Sequence, residues 1–220
     1  MPLNASQIHA LDTAIAAYEF PLMYFDFSTG VPLTAPSITV LEVTIQRLLI
    51  SPNPEDVKDG LANVIYWGNA NAGYRNHRVD RFRAGVTATQ LTSFQRMVAG
   101  GLVPTLRDIE RLGMPGYSGI SFVSKILMFL DPRQYPVLDL QLASLAIPQG
   151  TRAIDRLVVR TQIPISAHNI VAYDAWRLEC IAMSSTYFGG RYRAVDIERG
   201  LFHLIQSGRS RDASDIYHSA

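Results

Sequence analysis

Residues 114–143 read MPGYSGISFVSKILMFLDPRQYPVLDLQLA, and the fold turns on how this stretch divides. Just upstream, TLRDIERLG (105–113) has the apolar spacing of a short helix stopped by Gly113. Residues 120–130 form a second apolar helix closed by Asp131-Pro132, and Leu138–Ala146 begins a third. Between the first two lies a tight loop carrying Gly113, Gly116 and Gly119. Such a hairpin leaves backbone N–H groups unpaired at a helix start, and glycines clear side chains from an approaching anion. A phosphate diester is the natural guest, and a plain αα-corner is the alternative. Asp139 is the odd residue, a carboxylate after Pro136 in the run Val137-Leu138-Asp139-Leu140. In such a setting it is solvated, caps a helix or does chemistry.

Working outward, the periodicity is helical nearly everywhere. Apolar residues recur at three- and four-residue spacing in Ile8-Leu11-Ala14-Ile15, in Leu41-Val43-Ile45-Leu48-Leu49 and in Val57-Leu61-Val64-Ile65. Asn53-Pro54-Glu55 reads as a cap, a first-turn proline and a first-turn acid, and Thr87 or Thr89 caps a helix through Leu91, Phe94 and Met97 that stops at Gly100-Gly101. Residues 152–160, 168–185 and 193–207 complete a set of about ten helices. FDFSTGVPLTAP (25–36) is the best candidate for extended structure, and the tail from Ser207 is expected to fray. The expected class is all-α.

Of the 220 residues 48% are hydrophobic and 18% charged, enough for a sizeable core. No basic segment leads into an apolar N-terminal run, and no apolar stretch reaches membrane-spanning length, which reads as a cytoplasmic protein without a membrane partner. The single cysteine, Cys180 in AWRLECIAM, excludes an internal disulfide and a cysteine-rich metal site, and it reads as a core residue. His9, His77, His168, His203 and His218 lack metal-ligand spacing, so no metal is expected. A net charge of +1 gives no global basic field, so a polyanion must find a local patch.

That patch falls in IYWGNANAGYRNHRVDRFR (65–83), where Arg75, Arg78 and Arg81 share a helical face, with Arg83 nearby. They suit phosphates, or form a solvated face. The same stretch is the densest aromatic and amide cluster, with Tyr66, Trp67, Asn69, Asn71 and Tyr74 able to stack on and hydrogen-bond a base, or to serve as core. Tyr173 and Trp176 form a second such pair with the same two readings. Eighteen arginines accompany only two lysines, Lys58 and Lys125. Lys125 shares a face with Ser118 and Ser121, a polar stripe toward solvent or phosphate, with a nucleophilic amine as the other use.

Residues 110–143 resemble the helix-hairpin-helix superfamily of DNA glycosylases, the endonuclease III and 8-oxoguanine glycosylase type. The family pattern runs Leu-Pro-Gly-Val-Gly-x-Lys, an apolar helix, then a Val-Asp step whose aspartate is catalytic. Met114-Pro115-Gly116-Tyr117-Ser118-Gly119-Ile120 takes the place of the hairpin, and Asp139 falls without a gap where the aspartate falls. The resemblance implies a single two-lobed helical domain over 1–207, with its hairpin motif at 105–130 and a polar tail at 208–220. It implies backbone contacts from Gly113, Gly116, Ser118 and Gly119, with Gln141 standing where relatives often place a phosphate-contacting histidine. Ser124 matches a residue lining the base pocket of the 8-oxoguanine enzymes. Ile120 replaces the Schiff-base lysine, which implies a monofunctional enzyme without strong lyase activity. Hairpin carbonyls in the family can also coordinate a monovalent cation.

The expected function is a monomeric glycosylase on double-stranded DNA that flips out and hydrolyses off a modified base. Asp139 would stabilise positive charge on the sugar and orient water, with Lys125 the other catalytic candidate. The base is a damaged one in repair, or a hypermodified phage base in defence. The rivals are a non-catalytic helix-hairpin-helix scaffold on DNA and an all-helical protein-interaction domain.

Overall fold

The computed structural model describes residues 2–220, which are 61% helical, with eleven α-helices and one two-stranded sheet. The chain forms two compact units, residues 20–130 and, separately, the chain up to Glu19 together with Asp131–Ala220.

The 20–130 unit opens with an antiparallel hairpin, β1 (Met23–Asp26) and β2 (Val31–Thr34), with Met23 opposite Thr34. This is the extended piece expected at 25–36, begun two residues earlier. Helices α2 (Ile38–Leu49) and α3 (Pro54–Gly68) follow. Asn53 caps α3 with Pro54 in its first turn, as the sequence predicts. Then come α4 (Arg75–Gly85), α5 (Ala88–Val98), α6 (Leu106–Arg111) and α7 (Ile120–Leu130). Thr87, not Thr89, caps α5, sharing a reciprocal capping box with Gln90. Helix α3 packs against α2, α4, α5, α7 and β1 and is buried at every position from Gly60 to Trp67. Buried Asn63 accepts from the Phe25 N–H at 2.7 Å and donates to the Phe25 carbonyl at 3.0 Å, fastening β1 to α3.

The second unit contains α1 (Ala5–Ala16), α8 (Leu140–Ala143), α9 (Ala167–Phe188), α10 (Ala194–Gln206) and α11 (Ser210–Ser219). Its hub is α10, against which α1, α8, α9 and α11 pack. The approach of α1 to α10 depends on Gly200, where a Cβ would stand 2.7 Å from Leu11 Cδ1 and 2.6 Å from Ile15 Cγ1.

Three expectations change. The helix expected over Leu138–Ala146 is only the four-residue α8, and that over 152–160 is one 3-10 turn at Ile154–Arg156. The tail expected to fray is helix α11, because Ala213, Ile216 and Tyr217 bury their side chains along one face. Tyr217 accepts from the Ile154 N–H at 3.1 Å and donates to Glu179, and His218 Nε2 lies 3.0 Å from Asp155 Oδ1.

Candidate functional site

Asp139 is the N-cap of α8. Its Oδ1 accepts from the backbone N–H groups of Gln141 at 3.0 Å and Leu142 at 3.1 Å. Its Oδ2 has no hydrogen-bond partner among the described residues, and the side chain is only half-buried. The cap therefore aims the carboxylate while leaving one oxygen for another purpose.

The segment leading to Asp139 is held from behind. Tyr173 donates to the Pro136 carbonyl and Trp176 Nε1 to the Val137 carbonyl, both at 3.0 Å. Leu138, next to Asp139, is fully enclosed. Tyr173 and Trp176 are 1% and 0% exposed, which corrects the expectation that they line a base pocket. Neither ring has a surface for a base, and their polar atoms are committed to the two carbonyls preceding Leu138-Asp139.

Three polar residues of the unit that carries Asp139 escaped the sequence reading: Tyr18, just beyond α1, and Glu198 and Arg199 on α10. Glu198 and Arg199 are 5% and 3% exposed. The Arg199 guanidinium lies 5.3 Å from the Tyr18 ring centre, hydrogen-bonds the phenol and stands 3.7 Å from Asp196. Burial holds the Tyr18 phenol far above its usual range. The Arg199 charge opposes that shift, while Glu198 and, more weakly, Asp139 add to it. Burial likewise pushes the enclosed Cys180 thiol well up, with Glu198 adding, which leaves an unreactive core cysteine.

The hairpin belongs to the 20–130 unit. Gly113 and Gly116 have φ values of +62° and +84° between α6 and α7. Gly116 is exposed, and its N–H has no partner among the described residues. A Cβ there would meet Ile65 Cδ1 at 3.2 Å. Ser118 is exposed, whereas Gly119 is buried at the start of α7. Tyr117 is enclosed and anchors the loop by donating to the Leu61 carbonyl. The Gln90 amide donates to the Leu112 carbonyl at 2.9 Å and the Gly113 carbonyl at 3.1 Å, satisfying two of the oxygens that a cation at the loop would draw on.

Lys125 does not point to solvent, which corrects the expected polar stripe. It is 7% exposed, donates to the Ser121 carbonyl at 3.0 Å and lies 5.2 Å from the Phe122 ring centre. Gly68 makes room for it, since a Cβ there would stand 2.9 Å from Lys125 Cδ. Ser124 is also fully buried.

Arg75 lies 4.1 Å over the Tyr66 ring, and Arg78 stacks 4.5 Å over exposed Tyr74 while donating to Asn69 Oδ1 at 3.2 Å. Arg78 and Arg81 are exposed, whereas Arg83 pairs with Asp59. Tyr66, Trp67 and Asn69 are 3%, 3% and 6% exposed. Asn69 caps α3 and spends its amide on the Ile65 carbonyl at 2.7 Å and on Arg78. Trp67 packs between Phe20 and Phe129, its indole N–H buried without a partner. Of the residues singled out in this stretch, Asn71, Tyr74, Arg78 and Arg81 are the exposed ones. Gln141 is exposed, and its side-chain amide makes no hydrogen bond among the described residues.

Among the described residues no group of three or more His, Cys, Asp or Glu side chains could hold a metal ion, and no helix is long and apolar enough to cross a membrane. No family model, no curated protein and no solved structure matches the chain.

Proposed function

We propose that the chain is a monofunctional DNA glycosylase of the two-lobed helix-hairpin-helix type, acting as a monomer on a modified base in duplex DNA. The observation that carries the reading is the Asp139 carboxylate, with one oxygen fixed by two backbone N–H groups and the other without a partner, at the hairpin-to-aspartate spacing of the family it resembles. In this reading the C1′–N bond of the flipped nucleotide breaks and its electron pair leaves with the base. Asp139 stabilises the positive charge on the sugar from a partly apolar wall. Water adds to C1′, its proton passing to Asp139 and onward through solvent to the base. In the 20–130 unit the exposed Gly116 turn receives the sugar–phosphate backbone, helped by Arg78 and Arg81, and in the unit that carries Asp139 the exposed Gln141 amide offers a phosphate contact of its own. A monovalent cation on the remaining hairpin carbonyls belongs to the same reading. Ile120 in place of the lysine, together with the burial of Lys125, favours hydrolysis over Schiff-base chemistry.

The experiment is base release from duplexes carrying oxidised, alkylated, deaminated and glucosylated bases, with wild type beside Asp139→Asn. Asparagine caps a helix as well as aspartate and keeps an oxygen for Gln141 and Leu142, so the variant removes charge without removing the cap. Release that vanishes in the variant supports the enzyme. A non-catalytic helix-hairpin-helix scaffold is favoured by one observation, the closure of Tyr66, Trp67, Asn69 and Ser124 into the core. It requires DNA binding with no release from any substrate.

A further inference from the structure

Helix α4 lies on the 20–130 unit with only Val79 and Phe82 buried. Arginines on rings supply further contacts, Arg75 over Tyr66 at 4.1 Å and Arg83 over Phe27 at 4.0 Å. On the outer side, Tyr74, Arg78, Arg81 and Gly85 follow one another at helical spacing, so they form one stripe, and all four are exposed. The stripe ends against the hairpin, since a Cβ at Gly85 would stand 3.0 Å from Pro115 Cγ. At its other end Tyr74 is 54% exposed. The Arg78 guanidinium covers one face of the ring, 4.5 Å from its centre, and no other ring packs on Tyr74 among the described residues. The opposite face therefore meets solvent. Arg78 is itself held, by Asn69 Oδ1 at 3.2 Å and with its guanidinium 5.9 Å from the Phe122 ring centre. A ring backed in this way loses little freedom when a ligand stacks on it. Arg81 makes no ion pair among the described residues. Asp80 is the one acid on α4, and with Arg83 paired to Asp59 the balance of the outer side stays positive.

We infer that this stripe is a path for single-stranded nucleic acid, with an unpaired base stacked on the open face of Tyr74 and a neighbouring phosphate on Arg81. The occupant follows from the chemistry of the two groups. An exposed ring takes a planar partner, a guanidinium without an acid takes an anion, and a nucleotide carries both. Two turns of helix set Tyr74 and Arg81 about 10 Å apart, within reach of one short piece of strand. A paired base has both faces covered by its neighbours in the stack, so the ring calls for an unpaired one. An acidic peptide would satisfy Arg81 and leave the ring bare. The inference is independent of the glycosylase reading, because every residue in it belongs to the 20–130 unit and Asp139 takes no part.

The test is fluorescence anisotropy of the full chain with labelled oligothymidylate and oligouridylate, beside an undamaged duplex. Wild type should bind a single strand, and the tighter of the two strands identifies the sugar it accepts. Tyr74→Ala should weaken that binding roughly tenfold to a hundredfold, the range lost with one base–ring stack, while duplex binding stays within about twofold. Tyr74→Phe, which keeps the ring, should bind like wild type. Arg81→Gln should lower the slope of log affinity against log salt by about 0.7, the share of one phosphate on a single strand. A second measurement needs no variant: a strand carrying 5-iodouracil, irradiated on the wild-type protein, should attach to the peptide that holds Tyr74. No single-strand binding by wild type, Tyr74→Ala equal to wild type, or a crosslink confined to another peptide would overturn the assignment, and the Tyr74–Arg78 stack would then serve only to brace the helix. Neither strand carries a modified base to excise, so this result and the base-release result stand or fall separately.

Discussion

The two carbonyls behind Asp139 offer a direct test of how the carboxylate is held. Tyr173→Phe deletes one oxygen from a side chain that is 1% exposed and leaves the ring in place. The buried Pro136 carbonyl then loses its donor at 3.0 Å, with no room opened for water to replace it. An unpaired buried acceptor costs about 1–3 kcal/mol, and a central value of about 1.5 kcal/mol lowers Tm by roughly 3–6 °C in a chain of this length. Trp176→Phe removes the neighbouring donor to Val137 and should cost a similar amount, with added loss from the smaller ring. Because both bonds hold consecutive residues, the double variant should depart from additivity by about 0.5 kcal/mol or more. Thermal unfolding by circular dichroism gives the stability values, and base release gives the functional ones. Base release should fall further than duplex binding, since the defect loosens the aim of Asp139 and touches no DNA contact. A Tyr173→Phe protein melting within 1 °C of wild type would refute the reasoning, because some other element would then be holding residues 136–138.

Gly116→Asp sets a side chain at φ +84° against Ile65 and puts a negative charge where a phosphate is proposed to sit; duplex binding should fall at least tenfold and retain less salt dependence, and unchanged binding would sink the hairpin contact. Borohydride should trap no protein–DNA adduct, and an adduct that disappears in Lys125→Ala would return the nucleophile's role to that buried amine. Burial raises the Asp155 carboxyl, but hydrogen bonds from His218 and from the Ile147 and Arg152 N–H groups outweigh it, so it titrates below its ordinary value. Its contribution is thus present above about pH 4, the unfolded value, and is lost as pH falls through the folded one. Acid unfolding of Asp155→Asn should lack that part of the pH dependence, and a curve parallel to wild type would contradict it.

The helices were legible because their signals are local. Asn53-Pro54 marks a start, Gly113 marks a stop, and three- and four-residue spacing marks the faces between. Helix α11 carries the same spacing in Ala213, Ile216 and Tyr217, but the polar residues around them hid it and the segment read as a fraying tail. The site was legible only as far as Asp139, since an acid in an apolar run stands out by itself. Glu198 and Arg199 could not be found so, because α10 is buried on nearly every side by α1, α8, α9 and α11, and a helix so enclosed hides its polar positions among its apolar ones. Lys125 misled for a related reason: its place on the α7 wheel is polar, but the space that swallows it is made by Gly68 of another helix.

The glycine at the crossing of α1 and α10 also orders events during synthesis. Residues 20–130 find their partners within their own span, so that unit can close while the rest of the chain is still being made. Leu11 and Ile15 emerge before that unit yet find their seat only when Gly200 arrives. Until α10 is made, α1 is therefore an unmatched apolar stripe, exposed to chaperones and to neighbouring chains, and its docking follows the closing of the 20–130 unit.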